Sequence, residues 1–252
     1  MTASSTLRPR PAAIAEPPAY VRVAQPSAAS AVTPRWWRDL AGSLAWGSLL
    51  FVVALWVAGG ALQDLTSWAG FLNGVGRLAG LIGAALLLLQ VLAMARIPFV
   101  EQAYGQDELA RRHRLIGFAS VNLVALHIIF NTVGYAAGTP EGIIGTFVDL
   151  VLNYPGMLLA LAAAAALAMI AATSIRRARR ALRYESWHLL HLYAYLGAGL
   201  ALPHQLWTGR DFLASPAATV FWWGLWALSL TSVIAFRIVL PLVRKAITEV
   251  RD

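Results

Sequence analysis

Six times along this chain a sparsely charged, strongly apolar run reaches the length of a membrane crossing, over residues 42–60, 75–94, 113–133, 155–174, 187–206 and 216–240. A hydrocarbon layer about 30 Å thick takes about 20 helical residues to cross. Inside it, backbone N–H and C=O groups must be paired within a helix or around a closed barrel. No internal repeat and no alternating strand pattern points to a barrel. The expected fold is therefore all-α: an integral membrane bundle of six helices over residues 39–246. Composition supports this, because only 13% of the 252 residues are charged, whereas about a quarter of a soluble globular protein is.

The flanks read differently. Residues 1–38 are rich in Ala, Pro and Ser without an apolar period, which predicts a disordered cytoplasmic tail. No apolar stretch follows the first arginines, so the tail does not resemble a cleaved signal peptide. Trp36-Trp37-Arg38 reads as an anchor at the headgroup level, where indole rings are favoured. Residues 247–252 read as the start of a linker. Between the third and fourth runs, a stretch carrying Gly138, Pro140 and Gly142 is expected to lie partly against the membrane surface.

A formal charge of +8 invites a nucleic-acid reading, but the basic residues sit in short clusters between apolar runs, which is a topology signal and not a polyanion-binding face. No nucleic-acid partner is expected; membrane lipid is. Five Lys or Arg precede the first run, Arg96, Arg111, Arg112 and Arg114 lie between the second and third, five more from Arg176 to Arg183 between the fourth and fifth, and Arg244, Lys245 and Arg251 at the end. The other three loops hold only Arg77 and Arg210, so both termini are expected in the cytoplasm. With no cysteine in the chain, disulfides, thiolate metal sites and iron–sulfur clusters are excluded.

All five histidines fall in two of the runs: His113 and His127 in the third, His188, His191 and His204 in the fifth. A histidine inside a membrane is costly and therefore a functional candidate, although a single one can equally serve packing or an interface. On a helix, the 14 residues from His113 to His127 rise about 21 Å and fall only about 40° short of four turns. One face thus carries imidazoles at two depths, and the fifth run offers a matching set. Neutral imidazole binds haem iron axially, and facing helices of a bundle can supply one ligand each. This predicts two haems, one between His113 and His191 near the cytoplasmic side and one between His127 and His204 near the outer side. His188 is then a propionate or interfacial contact, or the inner ligand in place of His191. The 13 residues from His191 to His204 rise about 20 Å but miss a common face by about 140°. Pro203 removes a helical hydrogen bond, so a distortion is expected near the outer end of that span.

Other polar groups have two readings. Arg77 can pair with propionates of the outer haem or snorkel to headgroups. Arg96 and Arg114 can hold inner propionates or serve only as topology signals. Gln90, Asn122 and Asn131 read as helix–helix contacts, and Trp222, Trp223 and Trp226 as a lipid belt or packing cluster.

The segments Ala95-Arg96-Ile97-Pro98-Phe99-Val100-Glu101 to Asp107, His113-Arg114-Leu115-Ile116-Gly117 and Tyr184-Glu185-Ser186-Trp187-His188-Leu189-Leu190-His191 resemble the haem-carrying transmembrane domain of the ferric reductase and NADPH oxidase superfamily, over about residues 40–245 and in the bacterial flavocytochrome form. The resemblance implies six helices and two b-type haems. Its histidine spacings of 14 and 13 favour His191 over His188. It further implies a bacterial inner membrane location and electrons from a cytoplasmic FAD domain reduced by NAD(P)H. The outer acceptor it implies is ferric iron, oxygen or a similar oxidant. No Gly-rich dinucleotide fingerprint occurs in the chain, so it is expected to be the haem domain cut from its flavin domain. The alternatives are a stand-alone haem subunit feeding a periplasmic reductase and a histidine-lined transporter. Where oxygen-reducing members resemble one another in a further histidine one turn past the outer ligand, this chain has Asn131, which counts against superoxide production.

Overall fold

The computed structural model describes residues 35–251, and among the described residues every regular element is a helix. The expected tail falls outside the described residues up to position 34, while Trp36-Trp37-Arg38 lie on the first helix. In chain order the elements are α1 (Arg35–Ala58), a single turn α2 (Ala61–Asp64), α3 (Trp68–Met94), α4 (Pro98–Tyr104), α5 (Gln106–Ala136) and α6 (Gly142–Asn153). They continue with α7 (Met157–Ser174), α8 (Arg176–Ala181), α9 (Tyr184–Trp207) and α10 (Pro216–Val233), then a π-helical segment Ile234–Val239 that leads into α11 (Leu240–Arg251).

The chain is a multi-pass membrane helical bundle. Five helical stretches are long and apolar enough to cross a bilayer: Trp36–Ala58, Trp68–Met94, Gln106–Ala136, Met157–Ser174 and Pro216–Glu249. The sixth expected crossing, α9, has 24 residues, or about 36 Å of helix, so its length suffices. It is less apolar because Glu185, three histidines and Gln205 lie along it. Its polarity comes from the same residues that make it a functional candidate. α9 stays helical through Pro203, which can contribute no N–H to the ladder.

Local chemistry sets the ends. Ser67 caps α3 by accepting from Gly70 N at 3.0 Å, and Ser215 caps α10 by accepting from Ala218 N at 3.1 Å with Pro216 in the first turn. Each satisfies an N–H with no intrahelical partner.

α3 is the central helix. On one side its Ala85 and Leu88 pack with Val52 and Trp56 of α1 and Trp222 and Leu225 of α10, and Trp56 Nε1 donates to Gly74 O at 3.0 Å. On the other side Gly76, Gly80 and Gly83 meet α5, because residues without side chains let two backbones approach. α9 packs along α7, with Gly197 against Ala166. Large apolar groups such as Trp46, Phe118 and Val220 are 71–74% exposed on the outside of the bundle, as lipid-facing residues are. Of the three late tryptophans, Trp222 is core, stacked on Phe212 at 4.2 Å, and Trp223 faces outward.

Candidate functional site

The two histidine-bearing helices, α5 and α9, are packed on other partners, α5 along α3 and α9 along α7. Across the space between them their imidazoles face in two tiers. His113 and His191 have ring centroids 5.8 Å apart at an interplanar angle of 75°. His127 and His204 stand 6.4 Å apart at 48°. A metal about 2 Å from one nitrogen of each imidazole lies about 3 Å from each ring centre, so about 6 Å should separate the two rings. Both tiers meet that spacing. His188 does not join them: it is exposed and stacks on Tyr184 at 5.9 Å with planes 9° apart.

The His127 tier opens on a cavity of about 810 Å³ between α3, α5, α6, α7 and α9, within the size range of cofactor sites. Its walls include Gly80 and Ala84 of α3 and Ala160, Ala163 and Ala164 of α7, short side chains that leave the volume free. The ring nitrogens there are set by the backbone. His127 Nδ1 lies 2.9 Å from Gly76 O and His204 Nδ1 lies 2.6 Å from Ala201 O. A carbonyl only accepts, so each Nδ1 carries the proton and each Nε2 keeps its lone pair, the tautomer of a metal ligand. Asn131 also lies 2.9 Å from His127 Nδ1, and its buried Oδ1 lacks a partner with the amide as placed. Turning the amide brings Oδ1 to the ring as a second acceptor of the same proton.

Gly80 makes this approach possible. A Cβ at position 80 would lie 2.4 Å from His127 Nδ1, inside any non-bonded contact. Gly156, at φ +79°, is needed against the His204 turn, where a Cβ would fall 2.7 Å from His204 N. At the other tier the Nδ1 atoms of His113 and His191 are buried and have no hydrogen-bond partner. The described residues contain no group of three or more His, Cys, Asp or Glu able to hold a metal ion. Two imidazoles facing across a roomy cavity suit a metal whose remaining ligands arrive with it, as haem's do. The donor set and space at the His127 tier fit that group, and the ring spacing at the His113 tier agrees.

The arginines are distributed unequally. Arg77, expected to meet propionates or headgroups, is held by carboxylates of the chain itself. Its Nε and Nη2 donate to the two carboxylate oxygens of Asp211 at 3.1 and 3.4 Å, and its Nη1 to Asp64 at 3.3 Å. With side chains only 13% and 11% exposed, Arg77 and Asp211 form a largely buried pair in the wall of the cavity. Asp64 also receives Arg210, so two cations and two anions balance at this end. Arg96 and Arg114 are exposed and have no ion pair among the described residues; Arg114 directly follows His113 on α5, and Arg96 follows α3 in a left-handed conformation at φ 63°. Asn122 is occupied by the carbonyl of Phe118 on its own helix.

Reasoning from residue type and spacing missed Gly76, Gly80, Gly156, the α7 alanines, Asp64 and Asp211. The small residues were visible as pairs three and four apart on α3 and α7, a packing signal in membrane helices, but nothing in one sequence says which helix approaches them.

No curated protein and no solved structure matches the chain. A family model described as "Ferric reductase like transmembrane component" matches residues 79–202, a stretch that takes in His113, His127, His188 and His191 and ends just before His204. From the end of α3's first half through most of α9, this chain matches the model of the ferric reductase like transmembrane component family.

Proposed function

We propose that this bundle conducts electrons across a membrane, with one b-type haem held by His113 and His191 and a second by His127 and His204. The observation that carries the reading is the facing of both histidine pairs at the separation a bis-imidazole metal requires. A family of ferric reductase like transmembrane components supports electron transfer as the activity. When bound, haem b would supply one-electron iron chemistry, with His113 and His191 and with His127 and His204 as the residues that would hold it.

The chain's own residues do the rest. Gly76 O and Ala201 O hold the protons of His127 and His204 on Nδ1, leaving Nε2 to ligate. Gly80 gives His127 room, and the alanines of α7 clear the cavity. The largely apolar wall keeps water away from a low-dielectric site. The arginine-rich end is the cytoplasmic one; there a flavin, FAD reduced by NAD(P)H in a further domain or a separate flavoprotein, is the donor. At the other end Thr66, Ser67 and Thr208 give the cavity a polar mouth, where a small oxidant such as ferric iron is the acceptor. The test is an optical spectrum of the purified protein, oxidised and dithionite-reduced, with haem counted per chain. Two b-type haems per chain are expected. A colourless protein, made with ample haem supply, would overturn the reading and return the histidines to a transport role.

A further inference from the structure

The two tiers hold their imidazoles by different means. At the His127 tier both Nδ1 atoms are tied to backbone carbonyls. At the other, neither His113 nor His191 has a hydrogen bond at Nδ1, and the torsion that turns an imidazole about its Cβ–Cγ bond is broad. Yet His191 is oriented, at 75° to His113. What lies against it is Trp187, one turn earlier on α9, whose ring stacks on the imidazole at 4.9 Å and 24°. The guanidinium of Arg179, from α8, lies 4.3 Å from the centre of the Trp187 ring and 5.7 Å from that of Tyr184. The Trp187 Nε1 is buried without an acceptor, so stacking and not hydrogen bonding accounts for the placement of that ring.

We infer that Trp187, steadied by Arg179, is the positioning residue that fixes the plane of the His191 imidazole, and that the Arg179 cation tunes the redox centre at this tier. The inference rests on the haem reading above. Its physical basis has two parts. An aromatic ring parallel to the imidazole resists rotation, replacing the carbonyl that serves the other tier. A cation transmitted through this stack disfavours the more positive, oxidised state of the centre, and second-shell charge is one of the levers a protein has on such a centre. The relative angle of the two axial imidazole planes also governs the low-spin ferric resonance, so the two tiers, at 75° and 48°, should give distinct signals.

The experiment uses the full chain in detergent, comparing the wild type with Trp187→Leu, Trp187→Phe, Arg179→Gln and, as a marker of the tier, His113→Ala. Haem content, low-temperature electron paramagnetic resonance and a potentiometric titration are read for each. Trp187→Leu is expected to alter or lose the one signal that His113→Ala abolishes, while Trp187→Phe retains it. Arg179→Gln should lower the midpoint potential of that same centre and leave the other unchanged. Two haems per chain with wild-type signals and potentials in both Trp187→Leu and Arg179→Gln would overturn the stack and leave the haem reading standing. So would a Trp187→Phe protein as disturbed as Trp187→Leu. A wild-type protein without haem would overturn both readings.

Discussion

Replacing Gly80 by alanine separates a spacing argument from a propensity argument, because the two predict opposite signs. Gly80 lies inside α3, where exchanging glycine for alanine should stabilise a helix by about 0.5–1 kcal/mol. A Cβ at this position would sit 2.4 Å from His127 Nδ1 and 2.9 Å from both Cγ and Cε1. To regain ordinary contact the ring or the helix must move by about 1 Å, and His127 then loses its bond to Gly76 O at 2.9 Å. Leaving a buried ring N–H with only the Asn131 amide as acceptor costs up to about 3 kcal/mol, and overpacking adds about 1–3 kcal/mol more. The clash outweighs the propensity gain, so Gly80→Ala should be destabilised by about 1–5 kcal/mol. It should also lose or perturb one haem of two. Gly47→Ala is the control, since a Cβ there meets nothing within 4 Å; it should keep both haems and be as stable as the wild type or more so. Thermal unfolding in detergent and haem content per chain, measured on the two variants side by side, decide the matter. A Gly80→Ala protein with wild-type stability, two haems and an unchanged spectrum would refute the account of how His127 is seated.

Three further outcomes follow from the geometry. Alanine at His113 or His191 should remove one haem and alanine at His127 or His204 the other, each from two per chain to one, whereas His188→Ala should keep both because that ring stacks outward on Tyr184; haem content and difference spectra of the five variants test this. Asp211→Ala leaves the Arg77 guanidinium without its main partner at a site about nine-tenths buried, so a loss of about 3 kcal/mol is expected, against less than about 1 kcal/mol for Arg210→Ala at a side chain 56% exposed; comparable unfolding temperatures for the two would contradict the buried-pair reading. Replacing Asn131 by leucine, which removes the second acceptor beside His127 Nδ1, should shift the midpoint potential of the centre that His127→Ala abolishes and leave the other in place, as read by potentiometric titration.

Much of the architecture was legible because membrane folding uses few rules. Runs of about 20 apolar residues must be helices, and they stand where composition placed them, with α9 the least apolar because it carries the histidines. The 14-residue interval on α5 needs only helical periodicity to put His113 and His127 on one side. The pairing with α9 was harder: on an ideal helix His191 and His204 diverge by about 140°, yet each meets its partner across the bundle. Arg77 illustrates the reverse. As a lone basic residue near a span end it suggested propionates or headgroups, and nothing in its local sequence pointed to its carboxylate partners in α2 and in the loop after α9, the latter 134 residues away.

Sequence alone determined which segments are long apolar helices and where the histidines fall along them, since both depend on residue type and on a period local to one helix. Tertiary structure decided which histidine of the His188 and His191 pair faces α5, which glycines yield to an imidazole, and which nitrogen of His127 and His204 holds the proton. Those outcomes depend on the approach of a second helix, whose position arises from packing summed over the whole bundle and leaves no mark at any single residue.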